Sequence, residues 1–161
     1  MSAYEDAEAF IRLVRASSQV ANIAGSCDED LIARAEAQLG LSLPPTYREF
    51  LRQLGECDVA GEEFYGVWAR DGERDVLFGA VRMTLEARRT SAMPDSLIAF
   101  MFDGMGGMYA LDTASLNEEG EAPVVLWEPG GSVPGSILEH AADSFGEFAL
   151  SRTKRALAAL Q

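Results

Sequence analysis

The sequence predicts an α+β domain built on a central, mostly antiparallel sheet flanked by helices. Apolar residues recur at helical spacing through the first third of the chain, give way to short strand-length runs, and return to helical spacing at the end. That order segregates helices from strands and argues against a doubly wound sheet. The stretch Leu97 to Thr113, LIAFMFDGMGGMYALDT, reads as two strands about a glycine loop. Leu97 to Phe102 is a continuous apolar run and Met108 to Leu111 is its return, with Asp103, Gly104, Gly106 and Gly107 between them. A chain of 161 residues, 48% hydrophobic and without internal repeats, fits one domain spanning residues 1–161.

Each element follows from a local pattern. Ala7, Phe10, Ile11 and Val14 place an amphipathic helix over about Ala3 to Ser17. Ser26, with Glu29 three residues on, has capping-box spacing and opens a second helix that Gly40 ends. Leu41 to Pro45 links it to a third helix bearing Tyr47, Phe50, Leu51 and Leu54, with Gly55 as its stop. An acidic loop from Glu56 to Glu63 follows, then candidate strands at Glu63 to Ala69 and Val76 to Phe78, and a short helix over Val81 to Arg89. After the Leu97 hairpin come a polar turn at Asn117 to Ala122, a strand at Pro123 to Trp127 and a loop at Pro129 to Pro134. Ser144 and Glu147 repeat the capping-box spacing before a last helix to Leu160, with Phe145, Phe148, Leu157 and Leu160 as buried candidates.

The totals narrow the function classes. Against 13 Lys and Arg stand 26 Asp and Glu, a formal net charge of -13, which disfavours free nucleic acid as a partner. The imbalance is local: Thr90 to Ser151 holds no Lys or Arg, and Glu56, Asp58, Glu62 and Glu63 form a second acidic cluster. Solubility explains such surfaces, and so does a match to a basic protein. Cys27 and Cys57 give no disulfide framework or zinc motif. The acidic opening MSAYEDAEAF lacks the pattern of a secretory signal, and no apolar run reaches membrane-spanning length, so the expected location is cytoplasmic, without membrane partners.

Ala35 to Gly55, AEAQLGLSLPPTYREFLRQLG, then the Tyr65-Gly66 step, the Leu97 hairpin, the Pro123 to Trp127 strand and the Ser144-Phe145 and Phe148 helix opening recur in a characteristic order. From about residue 27 to 160 this order resembles the SUKH superfamily, which includes the yeast Smi/Knr cell-wall-synthesis regulators and many bacterial immunity proteins. The resemblance implies an antiparallel sheet flanked by helices. It also implies an immunity protein, not an enzyme, that binds and neutralises a cognate toxin domain such as a nuclease or other nucleic-acid-modifying enzyme. Pro44, Gly55, Gly66 and Phe145 carry over as fold markers. Glu56 to Glu63 and Glu128 to Ser136 depart from the pattern and are candidates for partner-specific tuning.

No catalytic constellation emerges. His140 is the lone histidine, without a nucleophile motif, and reads as a surface residue. Gly104 to Gly107 is followed by a strand, not the helix a phosphate loop needs. Asp103 with Asp112, or Glu118, Glu119 and Glu121, lack calcium-loop spacing and read as solvated carboxylates. Arg152, Lys154 and Arg155 suit the C-terminal half of a helix. For Trp68 and Trp127 the core reading is favoured, although Trp127 precedes Glu128 and a Gly/Pro loop, a setting that suits an interface anchor.

The predicted catalytic, metal and cofactor sets are therefore empty. The predicted partner is a cognate protein toxin with a basic surface, and the predicted contact residues are Glu62, Glu63, Tyr65, Asp103, Trp127 and Glu128. Two alternatives remain beside it: a regulatory interaction module of the cell-wall-regulator type, and a carboxylate-based binder of a small ligand or metal. The oligomeric state is left open.

Overall fold

The computed structural model describes residues 2–161. Helix α1 (Ala3–Ala16) is capped by Ser2, whose side chain accepts from Glu5 N, and it buries Ala7, Phe10, Ile11 and Val14. A short strand, β1 (Ala21–Ile23), leads to α2 (Glu29–Leu39). The cap of α2 is Asp28 and not Ser26: its carboxylate accepts from Leu31 N at 2.8 Å and is held by Arg74 at 2.8 Å. Cys27 N already donates to Leu51 O, so the chain is committed to another path until residue 28. Gly40 closes α2 in the left-handed region. The Glu36 carboxylate fixes the link to α3 (Pro45–Gln53), accepting from Leu43 N at 2.7 Å and Arg48 at 3.0 Å.

The strands pair antiparallel throughout, in an α+β arrangement distributed over three sheets. Glu56 to Glu63 is not a loop but most of a hairpin, β2 (Cys57–Val59) and β3 (Glu62–Phe64), with β1 on its outer edge. The single strand expected over Glu63 to Ala69 is broken at Gly66, and its second half, β4 (Val67–Trp68), pairs instead with β5 (Phe78–Gly79). Helix α4 (Ala80–Ser91) then leads into a four-stranded meander, β6 (Leu97–Phe102), β7 (Met108–Asp112), β8 (Val124–Trp127) and β9 (Glu139–Ala142). β1 and β9 are strands that local sequence pattern did not announce.

Gly66 breaks the strand because three backbones pass over one another there. A Cβ on Gly55 would overlap the Gly25 carbonyl, one on Gly66 the Gly55 carbonyl, and one on Gly79 the Gly66 carbonyl. The segments are joined by Gly25 N to Leu54 O (3.0 Å), Val67 N to Gly55 O (3.3 Å) and Ala80 N to Gly66 O (2.8 Å). Gly66 N donates to the Glu56 carboxylate at 3.0 Å.

One face of the meander, with Ile98, Phe100, Leu111 and Val124, packs into the main core together with α1, α2, α3 and α5 (Phe145–Ala158). Phe145 is its hub, with ring centroids 5.1 Å from Tyr47 and Phe50 and 5.2 Å from Phe100. Ser144 caps α5 through Glu147 N, which is half of the expected capping box; the Glu147 carboxylate reaches back one residue further than the box requires, accepting from Asp143 N instead of Ser144 N. Leu157 packs only at the margin and Leu160 is exposed, because the last turn runs past the core. On the opposite face, Met83, Ala87 and Met93 cover Leu97, Ala99, Val125 and Trp127.

Glu121 is buried and not a solvated carboxylate. Its two oxygens accept from Thr46 N (2.7 Å) and Thr46 Oγ1 (3.0 Å), and Thr46 Oγ1 also accepts from Gly146 N (3.2 Å). This joins the starts of α3 and α5 to the β7–β8 connection. Burial pushes the Glu121 carboxyl above the usual range.

Gly66 lies outside the left-handed region, so Gly66→Ala tests the close approach alone. We expect it to cost about 3 kcal/mol in urea unfolding. Gly61→Ala, at φ 86° in open space, should cost only about 1 kcal/mol. Hydrogen bonding from Arg74 lowers the Asp28 carboxyl to about 2, so its stabilisation is present above the unfolded value and is lost as the pH falls toward 2. Asp28→Asn should therefore be less stable than the wild type at pH 6, with the gap closing between about pH 4 and 2 in acid titrations followed by circular dichroism.

Candidate partner-binding surface

The end of the meander where β6 turns into β7 is built by one carboxylate. Asp103 Oδ1 accepts from Met105 N at 2.7 Å and from Gly107 N at 2.8 Å, and Asp103 N donates to Gly107 O at 3.1 Å. Gly104 and Gly106, at φ 83° and 95°, allow the backbone to close so tightly. The turn leaves Met105 91% exposed and Phe102 50% exposed. Phe102 pairs with Met108, and Met108 with Trp127, so Glu128 emerges on the same end of the sheet.

The chain following β3 joins this end. Tyr65 N donates to Phe100 O at 2.9 Å, and Tyr47 Oη donates to Tyr65 O at 2.8 Å. The Tyr65 ring meets Phe102 edge-on at 5.7 Å. Partial burial, then the neighbouring Glu63 carboxylate, raises the Tyr65 phenol above its ordinary value. Glu63 stands directly opposite Asp58 in the β2–β3 ladder, an unfavourable pairing of like charges. Asn22 Nδ2 donates to Asp58 at 3.0 Å, but among the described residues no cation pairs with Asp58, Glu63, Asp103 or Glu128.

Of the six residues predicted from sequence, Tyr65, Asp103 and Glu128 thus gather at one end of the meander, with Glu63 beside Tyr65. Trp127 lies beneath it in the second core cluster at 1% exposure, filling space as the core reading held, and offers no surface to a partner. Glu62 faces elsewhere: its carboxylate holds Arg152 Nε at 3.1 Å, and Arg152 also donates to Tyr109 Oη at 3.2 Å. Arg152 is accordingly a tie between β3, β7 and α5, a role that goes beyond complementing the helix dipole.

Sequence reasoning missed Phe102 and Met105. The available signal was a methionine at the apex of a glycine turn, where a polar residue is usual. It also placed Trp68 in the core, whereas Trp68 is 40% exposed and stacks on Phe78 at 4.2 Å, with Arg82 on that ring.

The remaining chemistry is sparse. His140 is exposed on β9, with Nε2 2.9 Å from Asp143 Oδ1. Burial pushes the Cys27 and Cys57 thiols up to about 11 and about 12, which disfavours thiolate chemistry. Among the described residues no group of three His, Cys, Asp or Glu side chains is placed to hold a metal, and no helix is long and apolar enough to cross a membrane. A groove of about 660 Å³ beside the meander is lined by Leu97, Asp112, Ser115, Val125, Ile137 and His140 among others; the Asp112 carboxylate there is engaged in capping the turn after β7, accepting from Ala114 N and Ser115 Oγ.

The family model described as SMI1-KNR4 cell-wall, SUKH_6, matches residues 29–148. The chain belongs to the SUKH superfamily. In this SUKH protein the match opens on the first residue of α2 and ends in the first turn of α5, so it contains Gly55, Gly66 and Phe145 together with the whole acidic end of the meander. α1 precedes the matched region and packs on α5 so closely that a Cβ on Gly146 would meet Ala3 O. No curated protein matches the chain.

The two roles of the acidic cluster are separable. Removing the Glu62 carboxylate with Glu62→Ala leaves Arg152 with Tyr109 Oη but no carboxylate partner and should cost about 1–2 kcal/mol. Glu63→Gln and Glu128→Gln should remain within about 0.5 kcal/mol of the wild type in urea unfolding.

Proposed function

We propose that this SUKH protein is an immunity protein that binds a cognate bacterial toxin domain stoichiometrically and blocks it. The toxin domain has a basic surface suited to nucleic acid, as a nuclease or other nucleic-acid-modifying enzyme has. The observation that carries this reading is the set of carboxylates without cation partners among the described residues, Asp58, Glu63, Asp103 and Glu128, beside exposed Phe102 and Met105 and half-buried Tyr65. Like charges kept face to face weaken the free protein, and a basic partner relieves that repulsion on binding. Family membership supports the same reading. The protein acts in the cytoplasm, by occupying the toxin and not by catalysis, and no cofactor enters.

The acidic surface accelerates encounter, and the aromatic residues slow escape. The Glu63→Lys, Glu128→Lys double variant should associate with its toxin domain about tenfold more slowly at low salt, with the difference shrinking as salt is raised. Stopped-flow mixing with an inactivated toxin domain measures this, and an unchanged rate would remove the electrostatic basis of the proposal. Co-expression of toxin and this protein should rescue growth, in proportion to complex formed.

A further inference from the structure

The β6–β7 turn has a feature that charge matching does not require. It holds a large apolar side chain in water and fixes the backbone beneath it. Met105 is 91% exposed, yet its own N–H and that of Gly107 are both bound by the Asp103 carboxylate, and the turn is closed again from Asp103 N to Gly107 O. Phe102 stands at its base, itself half exposed and braced by Tyr65. Because the backbone of the turn is already ordered, binding costs the side-chain freedom of Met105 but little further backbone entropy, and that preorganisation favours a strong contact from a small area.

We propose that this turn is a preformed docking wedge, with Met105 as its anchor and Phe102 and Tyr65 as its wall, that inserts into an apolar cleft with a basic rim on the toxin domain. The inference rests on the immunity reading and specifies the element that holds the partner. Charge chooses the occupant. Asp103 and Glu128 flank the wedge without cation partners among the described residues, and Thr90 to Ser151 supplies no Lys or Arg. A lipid surface is a poor match for a protein of formal net charge -13, since cytoplasmic leaflets are anionic. A second copy would bring the same carboxylates against each other. A cleft that binds nucleic acid is concave, basic at its edge and accessible to a projecting methionine.

The probe is the basic toxin domain retained by the tagged wild-type protein from its source cells, purified in a catalytically inactive form. Association and dissociation rates are measured for Met105→Ser and Phe102→Ser, with Leu116→Ser as the control at an apolar residue of similar exposure to Phe102, outside the wedge. The wedge predicts dissociation about 10–100-fold faster for the first two, association within about threefold, and no change for the control. Asp103→Asn keeps the Oδ1 acceptor and should release the partner more slowly than Asp103→Ala, which frees the turn. Unchanged dissociation in Met105→Ser overturns the wedge while leaving the immunity reading in place, as does a wild-type homodimer dispersed by that substitution. Failure of the wild type to retain any toxin domain from toxin-producing cells overturns both.

Discussion

Three close backbone crossings hold the parts of this fold in register. Gly55 lies on the Gly25 carbonyl, Gly66 on the Gly55 carbonyl and Gly79 on the Gly66 carbonyl, each without room for a Cβ. The end of α3, the β3–β4 step and the start of α4 therefore meet at backbone distance, and the hydrogen bonds between them replace a continuous sheet. Gly55 and Gly66 are buried at the crossing, so their backbone groups must find partners within the protein, and the Glu56 carboxylate supplies one by accepting from Gly66 N. Because β3 ends at this crossing, Tyr65 is directed to the edge of β6 and the β2–β3 hairpin is carried to the end of the meander.

The aromatic hub completes that arrangement from the other side. Phe145 touches rings from α1, α3, β3 and β6, so the first residue of α5 ties the helical layer to two sheets. Glu121 performs the same service with polar groups, linking the starts of α3 and α5 to a loop that would otherwise be free. With both faces of β6 covered, the meander is a buried platform, with register shifts at Ala99–Met101 and at Val124–Val125.

Charge is sorted across this platform. Several cations are spent on internal or neighbouring acids, such as Arg34 and Arg74 on Asp30, Arg52 on Glu29 and Arg152 on Glu62. What remains at the end of the meander is acid beside exposed aromatic and methionine side chains. Exposed ion pairs contribute little stability, so the pairing matters here chiefly for where it leaves charge unbalanced. A surface of this kind draws in a basic partner at long range and retains it by apolar contact at short range.

The helices, the Leu97 hairpin and the strand before Trp127 were legible because each is a matter of local periodicity, caps and turn residues. Family order marked Gly55, Gly66 and Phe145, although pattern alone could not say that Gly66 divides a strand. Of the six residues chosen for contact, the structure brings Tyr65, Asp103 and Glu128 to one end of the meander with Glu63 beside Tyr65, while Glu62 is held by Arg152 and Trp127 lies in the α4-facing core. Sequence by itself determined helices α1 to α5, the strands of the Leu97 hairpin and before Trp127, the net charge and the glycine turn, since these depend on composition or on neighbours within a few residues. Only the tertiary structure decided which carboxylates keep a cation, which tryptophan is buried and that Met105 stands free, because those outcomes depend on groups far apart in the chain arriving at the same place.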